Sequence, residues 1–288
     1  MNVGSGSTCI SRGRKWRPML ATRANVIHLW AAPIFLFLIL PSIIVVPMAF
    51  TSGRILEFPP RGFGVAAFVD LFGDSNWMDS GVTSIKVAFL VVILATIAAT
   101  GAALALREVR LRERNLFVAL ILTPMVIPVV VLALSDYQAL DRYGLLGSWI
   151  GIALVHSVIA TPYAFLTIQA SLSGLDKALI RSARSLGAGH VAVFRYVYMP
   201  IMAPGILAGA LFAFTVSFDE TVIALFLAGP TATTLPVQMF TAIQWSLSPK
   251  IAAVSVLLMG LAVLALLVQL TFVISRQHEL ENWRGRRG

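Results

Sequence analysis

The sequence predicts an all-α protein, a polytopic bundle of membrane-spanning helices, from its composition and its hydropathy pattern. Of its 288 residues, 58% are apolar and 12% are charged. Soluble domains carry about 25% charged residues, so the composition excludes an ordinary soluble domain. The apolar residues gather into six stretches, each near the roughly 20 residues that a helix needs to cross a bilayer. These stretches are 29–50, 82–106, 116–134, 146–170, 201–228 and 251–274.

The basic residues predict the orientation of these six spans. Seventeen of the 22 Lys and Arg residues lie in the N-terminal tail, the second and fourth connections and the C-terminal tail. Cytoplasmic segments are enriched in Lys and Arg, so both termini are expected in the cytoplasm. The expected organisation is a basic tail over 1–27, a six-span region over 28–275 and a second tail over 276–288.

The net charge of +9 allows a second interpretation, a surface that binds nucleic acid. The charges flank the apolar stretches, which favours a role in membrane topology, and no nucleic-acid partner is expected. The tail also resembles the basic start of a signal peptide, but the apolar run after it is too long for one. We therefore expect a retained first span.

The chain lacks the motifs of several enzyme classes. It has no G-x-x-x-x-G-K-[ST] phosphate loop, no HExxH motif and no paired cysteines, Cys9 being its one cysteine. We therefore predict no catalytic residue, no metal site and no cofactor in this chain.

Small residues at every fourth position predict the faces on which two spans pack. Such faces let helix backbones approach closely inside a membrane. They are Ala95, Ala99 and Ala103 in the second stretch and Gly205, Gly209 and Ala213 in the fifth.

Prolines interrupt two of the spans. Pro124 and Pro128 lie in the third stretch, and three further prolines lie in the first. Proline removes a backbone donor and bends a helix. The bends serve either packing or a hinge in a transport path.

The fourth connection, residues 171–200, is too polar to span and too regular for a flexible linker. Leu175, Leu179 and Ala183 recur at helical spacing, Gly187 interrupts them, and a second short helical stretch over 191–198 precedes Pro200. A basic helix lying at the lipid headgroups is the alternative.

This loop resembles the signature loop of ATP-binding-cassette (ABC) importer permeases. That signature is a Glu-Ala-Ala triplet, a glycine after three further residues and an apolar-x-Pro ending. The matching residues are Asp176, Arg181, Ser182, Ala183, Leu186, Gly187, Ala188 and Pro200. Arg181 stands where the family has Glu and Ser182 where it has Ala, which implies a compensating acid on the partner.

The resemblance extends over about residues 28–275 and is strongest to the spermidine/putrescine branch, particularly its second permease. Its markers are the segment 204–227, which contains Ser-Phe-Asp-Glu, then Ala-Gly-Pro at 228–230 and Thr-Leu-Pro-Val at 234–237. Related branches carry aminoethylphosphonate, other organic cations or ferric iron.

The resemblance implies a type I ABC importer permease fold in a bacterial inner membrane, with inward transport. It also implies three partners. A homologous second permease would complete a heterodimer, an ABC ATPase dimer would dock on the 171–200 loop, and a periplasmic or extracellular binding protein would deliver the solute.

Two adjacent acids, Asp219 and Glu220, lie inside the fifth stretch. Asp219 follows Ile201 by about 27 Å along a helix, which places the pair in the outer half. An acid at the centre of a span costs about 2.5–3.5 kcal/mol. The pair either caps a broken helix, contacts a cationic cargo or contacts the partner permease, and Ser217 is assigned to the same path.

Aromatic residues offer a second place for a cation. Tyr137 and Trp149 stand near the outer ends of the third and fourth spans, where they form either a cation–π site or part of an interfacial belt. Asp136 is expected in the short outer loop between the third and fourth spans. His156, alone in the fourth span, is expected to be a hydrogen-bonded interior residue.

A stand-alone secondary transporter is the rival interpretation. Such proteins often contain inverted repeats, and the two halves of this chain show no convincing repeat. A stand-alone carrier also has no need of a structured inner loop.

Overall fold

The structure is a computed structural model that describes residues 17–107 and 111–285. Cys9, most of the predicted N-terminal tail and residues 286–288 lie outside the described residues. Within the described ranges, the chain forms twelve α-helices. They are α1 (Arg17–Ala49), α2 (Ala66–Phe72), α3 (Ser75–Ala105), α4 (Leu111–Leu122), α5 (Val129–Arg142), α6 (Trp149–Ser173), α7 (Lys177–Ser185), α8 (His190–Val193), α9 (Met199–Asp219), α10 (Val222–Leu227), α11 (Leu235–Trp245) and α12 (Pro249–Gly285).

Four of these helical segments are long and apolar enough to cross a membrane by themselves. They are Ser75–Ala105, Trp149–Ser173, His190–Asp219 and Pro249–Leu267, and a bent pair formed by α4 and α5 gives a fifth. The first predicted span lies in α1, where the described apolar part is the 17 residues Pro33–Ala49. The all-α membrane bundle is confirmed, and the count of six spans stays a prediction.

The described residues divide into two compact units, one formed by 17–67 with 252–285 and the other lying within 68–251. In the first unit, α1 continues through Pro33, Pro41 and Pro47. After it, an isolated antiparallel bridge joins Thr51 and Phe63. The second unit contains every candidate functional residue predicted above.

In the second unit, α6 packs against both α3 and α9. The small residues predicted to form packing faces lie at these contacts, because Ala95, Ala99 and Ala103 are fully buried. On α9, a Cβ atom added to Gly205 would lie 2.8 Å from the backbone oxygen of Thr167 on α6. The prediction of close helix packing is therefore confirmed.

Two apolar clusters fill the opposite ends of this three-helix core. The first joins Val91 of α3, Ile152 of α6 and Ala213 of α9 to the buried side of α10. The second surrounds Phe165 and Met202 and supports the start of the 171–200 loop. One end of the core thus lies next to the acidic pair, and the other end lies next to the 171–200 loop.

The third predicted span is not one straight helix. The segments Glu113–Met125 and Val129–Arg142 meet at an angle of 91°, and Pro128 stands directly before α5. Because proline has no backbone N–H to donate, the helix ladder ends there. The outer loop expected at Asp136 was wrong, since this residue lies on α5.

Replacing Gly209 by Leu should destabilise the packing of α6 on α9. An added Cβ would lie 2.8 Å from the Thr167 Oγ1 atom and 3.0 Å from the Ala164 Cα atom. Overpacking of this kind costs about 1–3 kcal/mol, which thermal unfolding of the detergent-solubilised protein would measure.

The matched control is Gly101→Leu on α3, where an added Cβ has no neighbour within 4 Å. Equal melting temperatures for the two variants would contradict the close packing at Gly209.

Candidate functional site

The 171–200 loop contains a capped helix near its start. Asp176 precedes α7, and its Oδ1 atom accepts a hydrogen bond from the backbone N–H of Ala178 at 2.8 Å. The first N–H groups of a helix have no partner within the helix, and an aspartate before the helix satisfies one of them. Asp176 therefore fixes where α7 starts.

The signature glycine ends the same helix. Gly187 has a φ of 84°, a left-handed conformation that favours glycine. Its N–H donates to the Arg184 carbonyl at 3.0 Å, and the Ala188 N–H donates to the Ala183 carbonyl at 3.1 Å. These two bonds form a Schellman motif. Ala183 and Ala188 take part through their backbone atoms, and Gly187 supplies the left-handed residue that ends α7.

The remaining signature residues face outward. Arg181 and Ser182 are exposed, and the side chain of Leu186 is 89% exposed. The loop thus separates into residues that shape α7 and residues that a partner can contact.

The second half of the loop differs from the prediction. The short helix expected over 191–198 exists, but it does not stop before Pro200. It begins at His190, passes through a π-helical turn at Phe194–Tyr198 and continues into α9. His190–Asp219 is therefore a single helical segment of 30 residues, so the loop is attached directly to a membrane-spanning helix.

The fifth span is broken at the acidic pair. Asp219 is the last residue of α9, and Glu220 has extended backbone angles. The Glu220 Oε1 atom accepts a hydrogen bond from the Ile223 N–H at 2.9 Å, so it caps α10. Asp219 is exposed, and its side chain has no hydrogen bond or ion pair to the described part of the chain. Glu220 therefore stabilises the start of α10, whereas the Asp219 side chain makes no polar contact within the described chain.

Ser217 does not lie on an open surface. Its side chain is buried, and its Oγ atom lies in hydrogen-bonding contact with His156 Nδ1 at 3.2 Å. His156 Nε2 is buried and has no partner among the described residues. The pair joins α6 to α9 one turn before the break, which favours a structural role for Ser217.

The two aromatic residues predicted near the outer ends are partly exposed. Tyr137 lies on α5 and is 43% exposed, and Trp149 is the first residue of α6 and is 37% exposed. Their placement leaves both interpretations open, a cation–π site and an interfacial belt.

The loop after α10 packs closely on the loop before α6. The Gly147 N–H donates to the Leu227 carbonyl at 3.1 Å, and a Cβ atom on Gly229 would lie 2.8 Å from the Gly147 Cα atom. The Ala-Gly-Pro segment singled out in the sequence therefore owes its glycine to a close backbone approach.

A polar cleft of about 390 Å³, missed by the sequence analysis, lies beside this loop. It is lined by Asn76, Asp79, Ser80, Val82, Thr83, Lys86, Pro230, Thr231, Thr233 and Gln238. It was missed because α3 begins at Ser75, seven residues before the predicted span, so Asp79 and Ser80 lie on a helical turn that the hydropathy pattern does not include. In the described ranges, no three His, Cys, Asp or Glu residues are placed to hold a metal ion.

An ion pair closes the second unit next to this cleft. Lys250 Nζ donates to Asp74 Oδ2 at 2.7 Å, and Asp74 Oδ1 also caps α3 by accepting from the Asn76 N–H. The hydrogen bond from Lys250 is the largest influence on the Asp74 carboxyl and lowers its pKa.

Comparison with known proteins agrees with this architecture. Residues 92–279 match the family model described as the inner membrane component of binding-protein-dependent transport systems. The chain is 29% identical to the spermidine/putrescine permease PotC of Haemophilus influenzae, over 85% of this chain and 94% of that protein. It is 33% identical to the putrescine permease PotI of Escherichia coli, over 78% of this chain and 83% of that protein.

Among solved structures, a bacterial ABC transporter chain involved in alginate import aligns with a TM-score of 0.67 and 17% identity. The alignment covers 88% of this chain and 98% of that chain, which establishes a shared fold. The protein belongs to the family of inner membrane components of binding-protein-dependent transport systems. It is a multi-pass inner-membrane protein with the type I permease fold.

Replacing Asp74 by Asn should remove the ion pair with Lys250 and leave an oxygen to cap α3. Partly exposed ion pairs contribute about 0–1 kcal/mol, so we expect a small loss of stability at neutral pH. Folding lowers the pKa of Asp74 below its value in the unfolded chain, which is near 4. The ion pair therefore contributes its full stability at pH values above about 4. It is lost as the pH falls through the lowered pKa.

Thermal unfolding of the wild type and of Asp74→Asn between pH 7 and pH 3 tests this. The two melting temperatures should differ at pH 7 and converge in acid. A difference that persists unchanged at pH 3 would contradict the role of the ion pair.

Proposed function

We propose that the chain is the permease subunit of an ABC importer that carries a polyamine, such as spermidine or putrescine, inward across the inner membrane. The observation that carries the proposal is the capped helix α7, which presents Arg181, Ser182 and Leu186 outward and is joined to the core helices at both ends. An ATP-driven importer without a phosphate-binding motif of its own takes its energy from another subunit, and an exposed helix provides a surface on which that subunit can dock.

The proposed assembly has four kinds of subunit. A homologous permease pairs with this chain, two copies of an ATPase dock on the 171–200 loops, and a solute-binding protein delivers the cargo from outside. ATP hydrolysis takes place in the ATPase, not in this chain. The proposed topology has six spans and both termini in the cytoplasm, which places α7 on the side where ATP is available.

The solute class rests on two supports. The relatives reported above are named for spermidine or putrescine, and Asp219 is an exposed carboxylate at a helix break inside an apolar segment. A carboxylate in a membrane favours a cationic partner. Aminoethylphosphonate, other organic cations and ferric iron are the alternative cargoes.

We propose distinct roles for the two acids. Glu220 shapes the path, because its side chain caps α10. Asp219 contacts the ammonium group of the solute, since its carboxylate is exposed and is not used within the described chain.

Purification of the tagged full-length chain from its native membranes tests the proposed function. We expect an ATPase subunit and a second permease to co-purify. In proteoliposomes with the binding protein, the complex should take up radiolabelled spermidine or putrescine only when ATP is present. Uptake by this chain alone without ATP would support a secondary transporter and contradict the proposal.

Substitution of Asp219 by Asn tests the assignment of the cargo contact. Hydrogen bonds to charged groups contribute about 1.5–3 kcal/mol, so the KM for uptake should rise about tenfold or more. Glu220→Gln is the matched control, because the amide oxygen can still accept from the Ile223 N–H. It should transport nearly as the wild type does.

Normal uptake by Asp219→Asn in a fully assembled complex would contradict the cargo role. A defect of equal size in both variants would indicate that the acidic pair acts through the shape of the helix break.

A further inference from the structure

Arg107 follows the end of α3 and contacts a distant part of the chain. Its Nη2 atom donates a hydrogen bond to the Leu175 carbonyl at 2.9 Å, across 68 positions of sequence. Leu175 is 5% exposed and stands directly before Asp176, which caps α7. The guanidinium therefore holds the backbone at the point where the exposed inner helix starts.

The same guanidinium also contacts the other end of the loop. The Arg107 Cζ atom lies 5.9 Å from the centre of the Tyr198 ring, within the range of a cation–π interaction. Tyr198 is the last residue of the π-helical turn that leads into α9. One side chain directly after α3 thus contacts both ends of the segment 175–198.

Packing between α7 and the core is otherwise incomplete. No residue of α7 is buried. Ile180 is partly buried and packs against the second apolar cluster, which surrounds Phe165 and Met202. A cleft of about 180 Å³ separates part of the loop from α3. It is lined by Leu104 of α3 and by five residues of the loop, Arg184, His190, Val193, Phe194 and Tyr198. With so little buried contact, the orientation of α7 depends on its two attachments.

Arg107 has no competing partner in the described ranges. Its Nη1 atom is buried and makes no hydrogen bond there. The Leu175 carbonyl and the Tyr198 ring are therefore the contacts that hold the guanidinium. They add a polar link to the apolar cluster in which Leu175 and Tyr198 pack with Leu106.

We propose that Arg107 is a positioning residue. By contacting both ends of the 171–200 loop, it restrains the loop relative to α3, so that α7 moves together with the core helices. The positioning is a property of this chain alone. Its consequence for transport rests on the proposed function: a force on α7 reaches α3 and α9 instead of being absorbed at the ends of the loop.

Hydrogen–deuterium exchange of the full-length chain in lipid nanodiscs tests the positioning. Arg107→Met keeps an unbranched apolar side chain but removes the donor and the charge. It should raise the exchange rates of amides in 177–188 about tenfold, the effect of losing one hydrogen bond from a charged donor. Exchange within α6 should stay at the wild-type rate.

Two sets of variants keep the test specific. Tyr198→Leu removes the ring and should raise exchange in α7, whereas Tyr198→Phe keeps the ring and should not. Arg195→Met is the matched control, because Arg195 is an exposed arginine of the same loop. Unchanged exchange in α7 for Arg107→Met, or an equal rise in α6 and α7, would overturn the proposal.

A transport assay separates this inference from the proposed function. In the reconstituted complex, Arg107→Met should lower the number of spermidine molecules taken up per ATP hydrolysed, while ATP hydrolysis continues. If the wild-type complex takes up no solute with ATP, the proposed function fails, and the exchange experiment still decides the positioning. A wild-type ratio in Arg107→Met would overturn the proposed consequence for coupling.

Discussion

The close approach of α6 to α3 and α9 is the constraint on which the rest of the structure depends. Lipid tails are as apolar as leucine side chains, so helices inside a membrane gain little hydrophobic free energy from association and rely on tight packing. At Gly205 and Gly209 the backbones come so close that a single added Cβ would overlap atoms of α6. Because α6 also leads into α7 and begins beside the Gly147–Gly229 contact, this packing sets the geometry at both ends of the core.

The two candidate regions are joined by one helix. The loop turns at Gly187, and the helical segment His190–Asp219 then runs through the core to the acidic break. Its 30 residues correspond to about 45 Å, more than the roughly 30 Å of a bilayer core. One continuous helical segment therefore connects the 171–200 loop to Asp219. Arg107 adds a connection from the loop to α3, so the loop, whose ends continue into α6 and α9, is attached to all three core helices.

Much of this arrangement could be predicted from local signals in the sequence. Hydropathy identified the helices, the four-residue spacing of small residues identified the packing faces, and the glycine at 187 marked the end of α7. Other features depend on contacts that are distant in sequence. The bond between Arg107 and Leu175 and the cleft beside Asp79 have no local pattern. The position of Asp136 was wrongly predicted because hydropathy falls before α5 ends, and a polar helix face looks like a loop in a hydropathy profile.

The central claim is that α7 is the surface on which an ATPase acts, and site-specific photocrosslinking in the assembled complex tests it most directly. A photoreactive amino acid would replace Leu186, which is 89% exposed, or Tyr143, which is 79% exposed and follows α5. The account predicts that position 186 crosslinks to the ATPase subunit and that position 143 does not. Crosslinking of position 186 to the solute-binding protein, or of position 143 to the ATPase, would contradict it.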